Sequence, residues 1–221
     1  MGTRTKPVPW NDVPMVVETN APDTHARESL KHPVGHRTSR AIERDHTWIF
    51  TDGSGSGWHA AVVLRPDRPL RLVARSLPRE MSNVGAEMNR LLLGLSALDP
   101  GERVTVVSDY LWDAYYILGW WNASKPALIR LVDQARALLT SRRPGFIRYI
   151  HTRGHRLDGT DFGVWNDVAD KLCGARVAYD GELSEAQVRA HLKAQRPISQ
   201  LLISPSESLP QPDEMQEMGG R

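Results

Sequence analysis

A change of period near Gly85 constrains this chain more than any other feature. Upstream lie three β-prone runs, Trp48 to Asp52, Trp58 to Leu64 and Leu70 to Leu77, broken by Gly53-Ser54-Gly55-Ser56-Gly57 and by Pro66-Asp67-Arg68-Pro69. Glycine, proline and aspartate turn a chain back on itself, so three strands in hairpin connection are predicted. Downstream, Met88, Leu91, Leu92, Leu95 and Leu98 recur at helical spacing until Asp99-Pro100-Gly101 stops them. Arg103 to Ser108 then reads as a strand, and Leu111 to Trp121 and Pro126 to Leu139 as helices, with Asn122 or Ser124 as a cap for the second. Phe146 to His151 reads as a fifth strand and Trp165 to Ala175 as a helix. Ser184 with Gln187 has the form of a capping box opening a last helix. Strands that alternate with helices need crossovers, which set the later strands parallel to the first. The expectation is an α/β fold with a mixed sheet covered by helices.

The flanks read differently. Residues 1–45 carry Pro7, Pro9, Pro14, Pro22 and Pro33 among charged and polar neighbours, and are expected to be an extended or weakly ordered leader. Residues 46–178 form the expected catalytic domain, 179–196 an additional helix, and 197–221 a disordered acidic tail. Cys173 is the only cysteine, which excludes an internal disulfide and any zinc site of several thiolates, and fits a cytoplasmic setting. No apolar run approaches the roughly 20 residues that span a bilayer, and the N-terminus has no secretory apolar stretch, so no membrane partner is expected. A net charge of +2 decides nothing by itself. Arg130, Arg136, Arg142, Arg143, Arg148, Arg153 and Arg156 are clustered, however, and such a stretch either meets phosphate or forms a solvated helix face and loop.

Four acids carry the chemistry. Singly, each has an ordinary reading: Asp52 as a turn residue before Gly53, Glu87 as a first-turn helix acid, Asp109 as a cap, Asp170 as a solvated helix residue. Their placement changes that. Asp52 and Asp109 end strands that would be parallel neighbours, Glu87 begins the helix between them, and Asp170 lies on the last core helix. Four carboxylates crowded together repel unless a hard cation such as Mg²⁺ compensates them.

In Ile-Phe-Thr-Asp52-Gly-Ser, Asn83-Val-Gly-Ala-Glu87, Val-Val-Ser-Asp109, Arg-Gly-His155 and Asn166-Asp-Val-Ala-Asp170-Lys-Leu, the sequence resembles the ribonuclease H type 1 family over positions 46–178. The resemblance implies a ribonuclease H-like fold: a five-stranded mixed sheet, first three strands antiparallel, last two parallel to the first, flanked by helices. It implies an endonuclease that hydrolyses the RNA strand of RNA/DNA hybrids, leaving 5′-phosphate and 3′-hydroxyl ends. Two Mg²⁺ ions about 3.5–4 Å apart would serve it, with Mn²⁺ able to substitute. Asp52 would bridge both ions, Glu87 and Asp109 would hold the first and Asp170 the second, and His155 would assist proton transfer or product release. His151 is a weaker candidate on a strand.

The same resemblance assigns substrate contacts. Asn83 would read the 2′-hydroxyl that separates RNA from DNA. Ser82 would donate to a DNA phosphate, Gly53, Ser54 and Gly85 would allow or make close contacts, Trp120 would line a DNA channel or else, like Trp121, belong to the core, and Asn166 would lie beside them. Val84, Tyr110 and Leu111 depart from the family's polar pattern, and the segment from His155 to Asp170 is longer than usual and holds Asp158 and Asp161. The basic, tryptophan-rich protrusion of some bacterial members is missing after Trp121. A monomer acting on hybrid duplex is expected. A DNA-directed nuclease on the same scaffold, or a catalytically silent nucleic-acid-binding module, remains the alternative.

Overall fold

Alternation along the first predicted strand divides the interior in two. In the computed structural model, which describes residues 15–20, 34–54, 56–76, 83–142, 146–152 and 160–203, Trp48 and Phe50 enter one apolar cluster and Ile49 the other. Successive strand side chains leave opposite faces, so one sheet serves two cores. The strands are β1 (Met15–Thr19), β2 (Val34–His36), β3 (Thr47–Gly53), β4 (Trp58–Leu64), β5 (Leu70–Ser76), β6 (Arg103–Ser108), β7 (Phe146–His151) and β8 (Tyr179–Leu183). The described helices are α1 (Asn83–Ser96), α2 (Trp112–Ile117), α3 (Pro126–Arg142), α4 (Asp161–Ala175), α5 (Glu185–Lys193) and α6 (Ile198–Ile203). Helices α1, α2 and α3 supply one cluster, with Leu91, Tyr115 and Val132, and α4 to α6 the other, with Trp165, Val188 and Ile198.

The strand order is β2-β1-β7-β6-β3-β4-β5-β8. Strands β3, β4 and β5 are antiparallel neighbours, and β6 and β7 run parallel to β3, as the element order requires. Among the described residues the sheet nevertheless has eight strands rather than five. Strands β1 and β2 pair in parallel beside β7, so residues 15–19 and 34–36 belong to the sheet and not to a weakly ordered leader. Strand β8 adds antiparallel to β5, and a short helix follows at Ile198–Ile203, inside the stretch expected to be tail. The added strands are short and poor in local signal: β2 is Val-Gly-His and β8 is Tyr-Asp-Gly-Glu-Leu. Asp180 of β8 instead pairs with Arg71 at 3.0 Å and Arg75 at 3.1 Å on β5.

Helix ends follow local chemistry. Thr160 accepts from the Gly163 amide, which starts α4 before the apolar period begins, and Ser184 with Gln187 forms the expected capping box on α5. Helix α2 stops at Ile117, where Arg136 of α3 binds the carbonyls of Tyr116 and Ile117 at 2.9 and 3.0 Å. Neither Asn122 nor Ser124 caps α3, because its first bond runs from the Ile129 amide to the Lys125 carbonyl. Gly94 brings α1 against β3, since a Cβ there would lie 2.6 Å from Ile49 Cγ2.

Candidate active site

The register of β3 and β6 builds the first half of the site. Phe50 pairs with Val107 in parallel, so Asp52 and Asp109 each follow their paired residue by two positions at adjacent carboxyl ends. Carboxyl ends of parallel strands are where open α/β sheets place ligands. Glu87 reaches the same place from the first turns of α1, and Asp170 approaches from α4 on the other layer. Burial leaves the Asp52, Glu87 and Asp109 side chains 14%, 20% and 28% exposed.

Under these acids lies Arg90, one helical turn beyond Glu87 and 1% exposed. Its Nη1 donates to Asp109 Oδ1 at 2.7 Å and lies 3.5 Å from Asp52 Oδ1. Its Nη2 is 2.6 Å from Glu87 Oε2 and donates to Ser108 Oγ at 2.8 Å. One planar guanidinium with several fixed donors thus meets three carboxylates from three elements. Beneath it, Asp113 is fully buried, and neither of its carboxylate oxygens has a hydrogen-bond partner among the described residues. Burial holds the Asp113 carboxyl well above the usual range against the pull of Arg90.

The electrostatics of the cluster are unbalanced even with Arg90 in place. Burial raises Asp52 to about 6, with Arg90 opposing and Asp109 and Asp170 adding to the rise. Glu87 is raised to about 7 by burial, opposed by Arg90 and reinforced by Asp109 and Asp52. Burial is the main reason both carboxylates are reluctant to ionise, the neighbouring acids add to it, and a cation bound among them would favour the ionised forms. The donors are all oxygens, as a hard divalent cation prefers. Cys173 is close by, but its thiol donates to the Trp58 carbonyl at 3.0 Å and burial raises it to about 11, so no thiolate competes.

The remaining predicted positions separate. Ser82 and His155 lie outside the described residues, as does the Asn83 side chain, although Asn83 begins α1. Gly53 faces inward, where a Cβ would meet His59 Nδ1 at 3.2 Å and Arg90 Cδ at 3.5 Å. Ser54 closes the β3–β4 turn through its amide to the Trp58 carbonyl at 2.8 Å. Gly85 is buried, and Asn166 is buried on α4 one turn before Asp170. Trp120 packs edge-on against Tyr115 at 5.1 Å, beside a stacked Trp112–Trp121 pair. His151 is 4% exposed with Nδ1 3.0 Å from Thr19 Oγ1, so it ties β7 to β1. Leu111 is core and Val84 packs against the same cluster. Of the clustered arginines, Arg136 binds α2, and Arg148 pairs with Glu43 at 3.2 Å, while Arg130 is exposed.

Sequence reasoning missed Arg90, Asp113 and His59. Arg90 sits at i+3 from Glu87, a spacing that puts both on one helix face, and this was the available signal. Nothing in the local pattern marks Asp113. His59 is 2% exposed and burial, with Arg90 adding, pushes it down to about 4, while the nearby Ala86 carbonyl acts in the opposite direction.

No protein-family model and no curated protein matches the chain. Among solved structures, it is similar to RNase H1 from the halophilic archaeon Halobacterium salinarum NRC-1, with 21% identity over 58% of this chain and 94% of that one, at a TM-score of 0.44. It is also similar to the N-terminal RNase H domain of rv2228c from Mycobacterium tuberculosis, solved fused to maltose binding protein. There the identity is 25% over 59% of this chain and 98% of that one, at a TM-score of 0.43.

Proposed function

We propose that the chain is a metal-dependent nuclease of the ribonuclease H type that hydrolyses the RNA strand of RNA/DNA hybrids. The observation that carries this reading is the meeting of Asp52, Glu87 and Asp109 around one buried guanidinium, with the charge of Asp170 felt at Asp52. Asp52 would be shared between two Mg²⁺ ions, Glu87 and Asp109 would complete one set of ligands and Asp170 the other. When bound, the ions would supply Lewis-acid charge that acidifies water and neutralises the phosphodiester under attack. The protein's part is to hold the carboxylate oxygens in place: Arg90 hydrogen-bonds Asp109 and pairs in charge with one oxygen each of Glu87 and Asp52. Hydrolysis in this sense leaves a 5′-phosphate and a 3′-hydroxyl.

The substrate reading is supported by Asn83, which begins α1, and by the sequence pattern around it, which resembles that of a family with a 2′-hydroxyl reader at this position. Burial of Leu111 and packing of Val84 favour a second reading, because two positions that are polar contacts in the resembling family are apolar here. A DNA-directed nuclease would tolerate that loss. No helix among the described residues is long and apolar enough to cross a membrane.

Matched RNA/DNA, DNA/DNA and RNA/RNA duplexes incubated with Mg²⁺ decide between them. The expected result is cleavage confined to the RNA strand of the hybrid and lost in D52N. Preferential cleavage of DNA/DNA would replace the substrate, and no cleavage of any duplex would remove the nuclease reading.

A further inference from the structure

A crowded set of acids repels itself, since each ionised carboxylate raises the cost of ionising the next. Here a positive charge is already built in. Arg90 is 1% exposed, and three carboxylates from β3, α1 and the end of β6 lie within 3.5 Å of its terminal nitrogens. Hydrogen bonds to Ser108 Oγ at 2.8 Å and to the Thr51 carbonyl at 3.4 Å fix its plane. Asp113, fully buried and without a hydrogen-bond partner among the described residues, adds a further acid whose charge acts on Arg90. The fourth acid, Asp170, comes from α4 in the opposite layer, so the guanidinium addresses one half of the site directly.

Resting on the nuclease reading, we propose that Arg90 is a positioning residue, a built-in counter-ion that assembles Asp52, Glu87 and Asp109 without metal and weakens cation binding at that half of the site. Two consequences follow from one fixed charge. The metal-free cluster holds its shape, because the guanidinium offsets part of the mutual repulsion. A divalent cation arriving at Asp52, Glu87 and Asp109 then meets acids already partly neutralised, and repulsion from Arg90 itself. The half of the site shared by Asp52 and Asp170 is spared most of this. The two cation affinities are therefore unequal, with the weaker one set by the residue at position 90.

The test uses the full chain and Mn²⁺ as probe, with calorimetric titration at pH 8 and melting in EDTA. R90M keeps the length of the side chain and removes its charge, R90K keeps a charge, and R90M/D113L in addition replaces the unpartnered buried Asp113 with an apolar group of similar volume. The expected result for R90M is a lower melting temperature in EDTA, a larger rise on adding Mn²⁺, and a weaker Mn²⁺ affinity that tightens about ten-fold, whereas R90K stays near the wild type. Should R90M not fold in EDTA, R90M/D113L carries the same affinity comparison. Wild-type binding of Mn²⁺ that D52N removes, together with unchanged or weakened affinity in folded R90M or R90M/D113L, overturns this inference alone. Absence of any Mn²⁺ binding that D52N removes overturns the nuclease reading and this inference with it.

Discussion

Gly94 and Ile49 are in closer contact than any larger residue at position 94 would permit: a Cβ on Gly94 would stand 2.6 Å from Ile49 Cγ2 and 3.2 Å from Thr51 Cγ2. Both neighbours are β-branched and stiff, so neither yields cheaply. Because Glu87 and Arg90 share helix α1 with Gly94, the contact sets how near they come to Asp52. Gly94→Ala gains up to about 1 kcal/mol of helix propensity, but overpacking costs about 1–3 kcal/mol. Net destabilisation in urea unfolding is expected, with reduced hybrid cleavage. A stabilised variant with full cleavage would contradict the tight approach.

Asp52 is held ionised at neutral pH against its own environment, its carboxyl being raised to about 6 by burial and by Asp109 and Asp170 despite Arg90. Asp52→Asn removes that charge. Metal-free stability at pH 8 should rise by roughly 1–3 kcal/mol, since a tenfold change in proton affinity between folded and unfolded chain corresponds to about 1.4 kcal/mol. Hybrid cleavage should fall to background in the same variant. Activity and stability then move in opposite directions, which simple misfolding does not produce. Urea unfolding in EDTA measures the first quantity, and a cleavage assay the second.

Much of this site could be read from the chain because its parts are short-range patterns. Asp52 ends a β run broken by Gly53, Glu87 opens an amphipathic helix, and Asp109 ends a second run, so strand parity and crossover order bring them together. What escaped depends on distant partners. Strand β1 pairs with β7, whose sequence lies far downstream, and its five residues carry no period long enough to notice. Arg90 looks like a surface helix residue until the sheet beneath it is known, and Asp113 differs from a solvated acid only through burial. Leu111 and Val84, conspicuous as departures from a polar pattern, turn out to be packing residues of the first core.

The join between β1 and β7 is polar at its end. Thr19 Oγ1 and His151 Nδ1 are 3.0 Å apart, both residues are buried, and the Asn20 amide donates to the His151 carbonyl at 3.0 Å. Thr19→Val keeps the shape of the side chain and removes one hydrogen-bonding group, so the buried His151 imidazole loses its hydrogen bond to Thr19. A loss of about 1–3 kcal/mol is expected. Hydrogen exchange of the β1 amides should speed up more than that of β3. Equal acceleration throughout the sheet would show that β1 does not open separately.

Protons and divalent cations should compete for the same oxygens, and the pH at which they exchange follows from the shifted groups. Asp52 and Glu87 are raised in the folded chain, from 3.8 and 4.5 to about 6 and about 7. Between those limits the folded state binds more protons than the unfolded one, so these two groups lower stability as pH rises, and their full penalty is present above pH 7. His59 acts oppositely: its value falls from 6.5 to about 4, so its contribution is complete above pH 6.5 and is lost as pH falls towards 4. Comparing melting with and without Mg²⁺ at each pH cancels the His59 contribution, because His59 is no ligand. The Mg²⁺-dependent rise in melting temperature should be largest at about pH 8 and nearly vanish by about pH 5, where Asp52 and Glu87 are mostly protonated. A rise that stays constant across this range would mean that the stabilising cation binds somewhere other than these carboxylates.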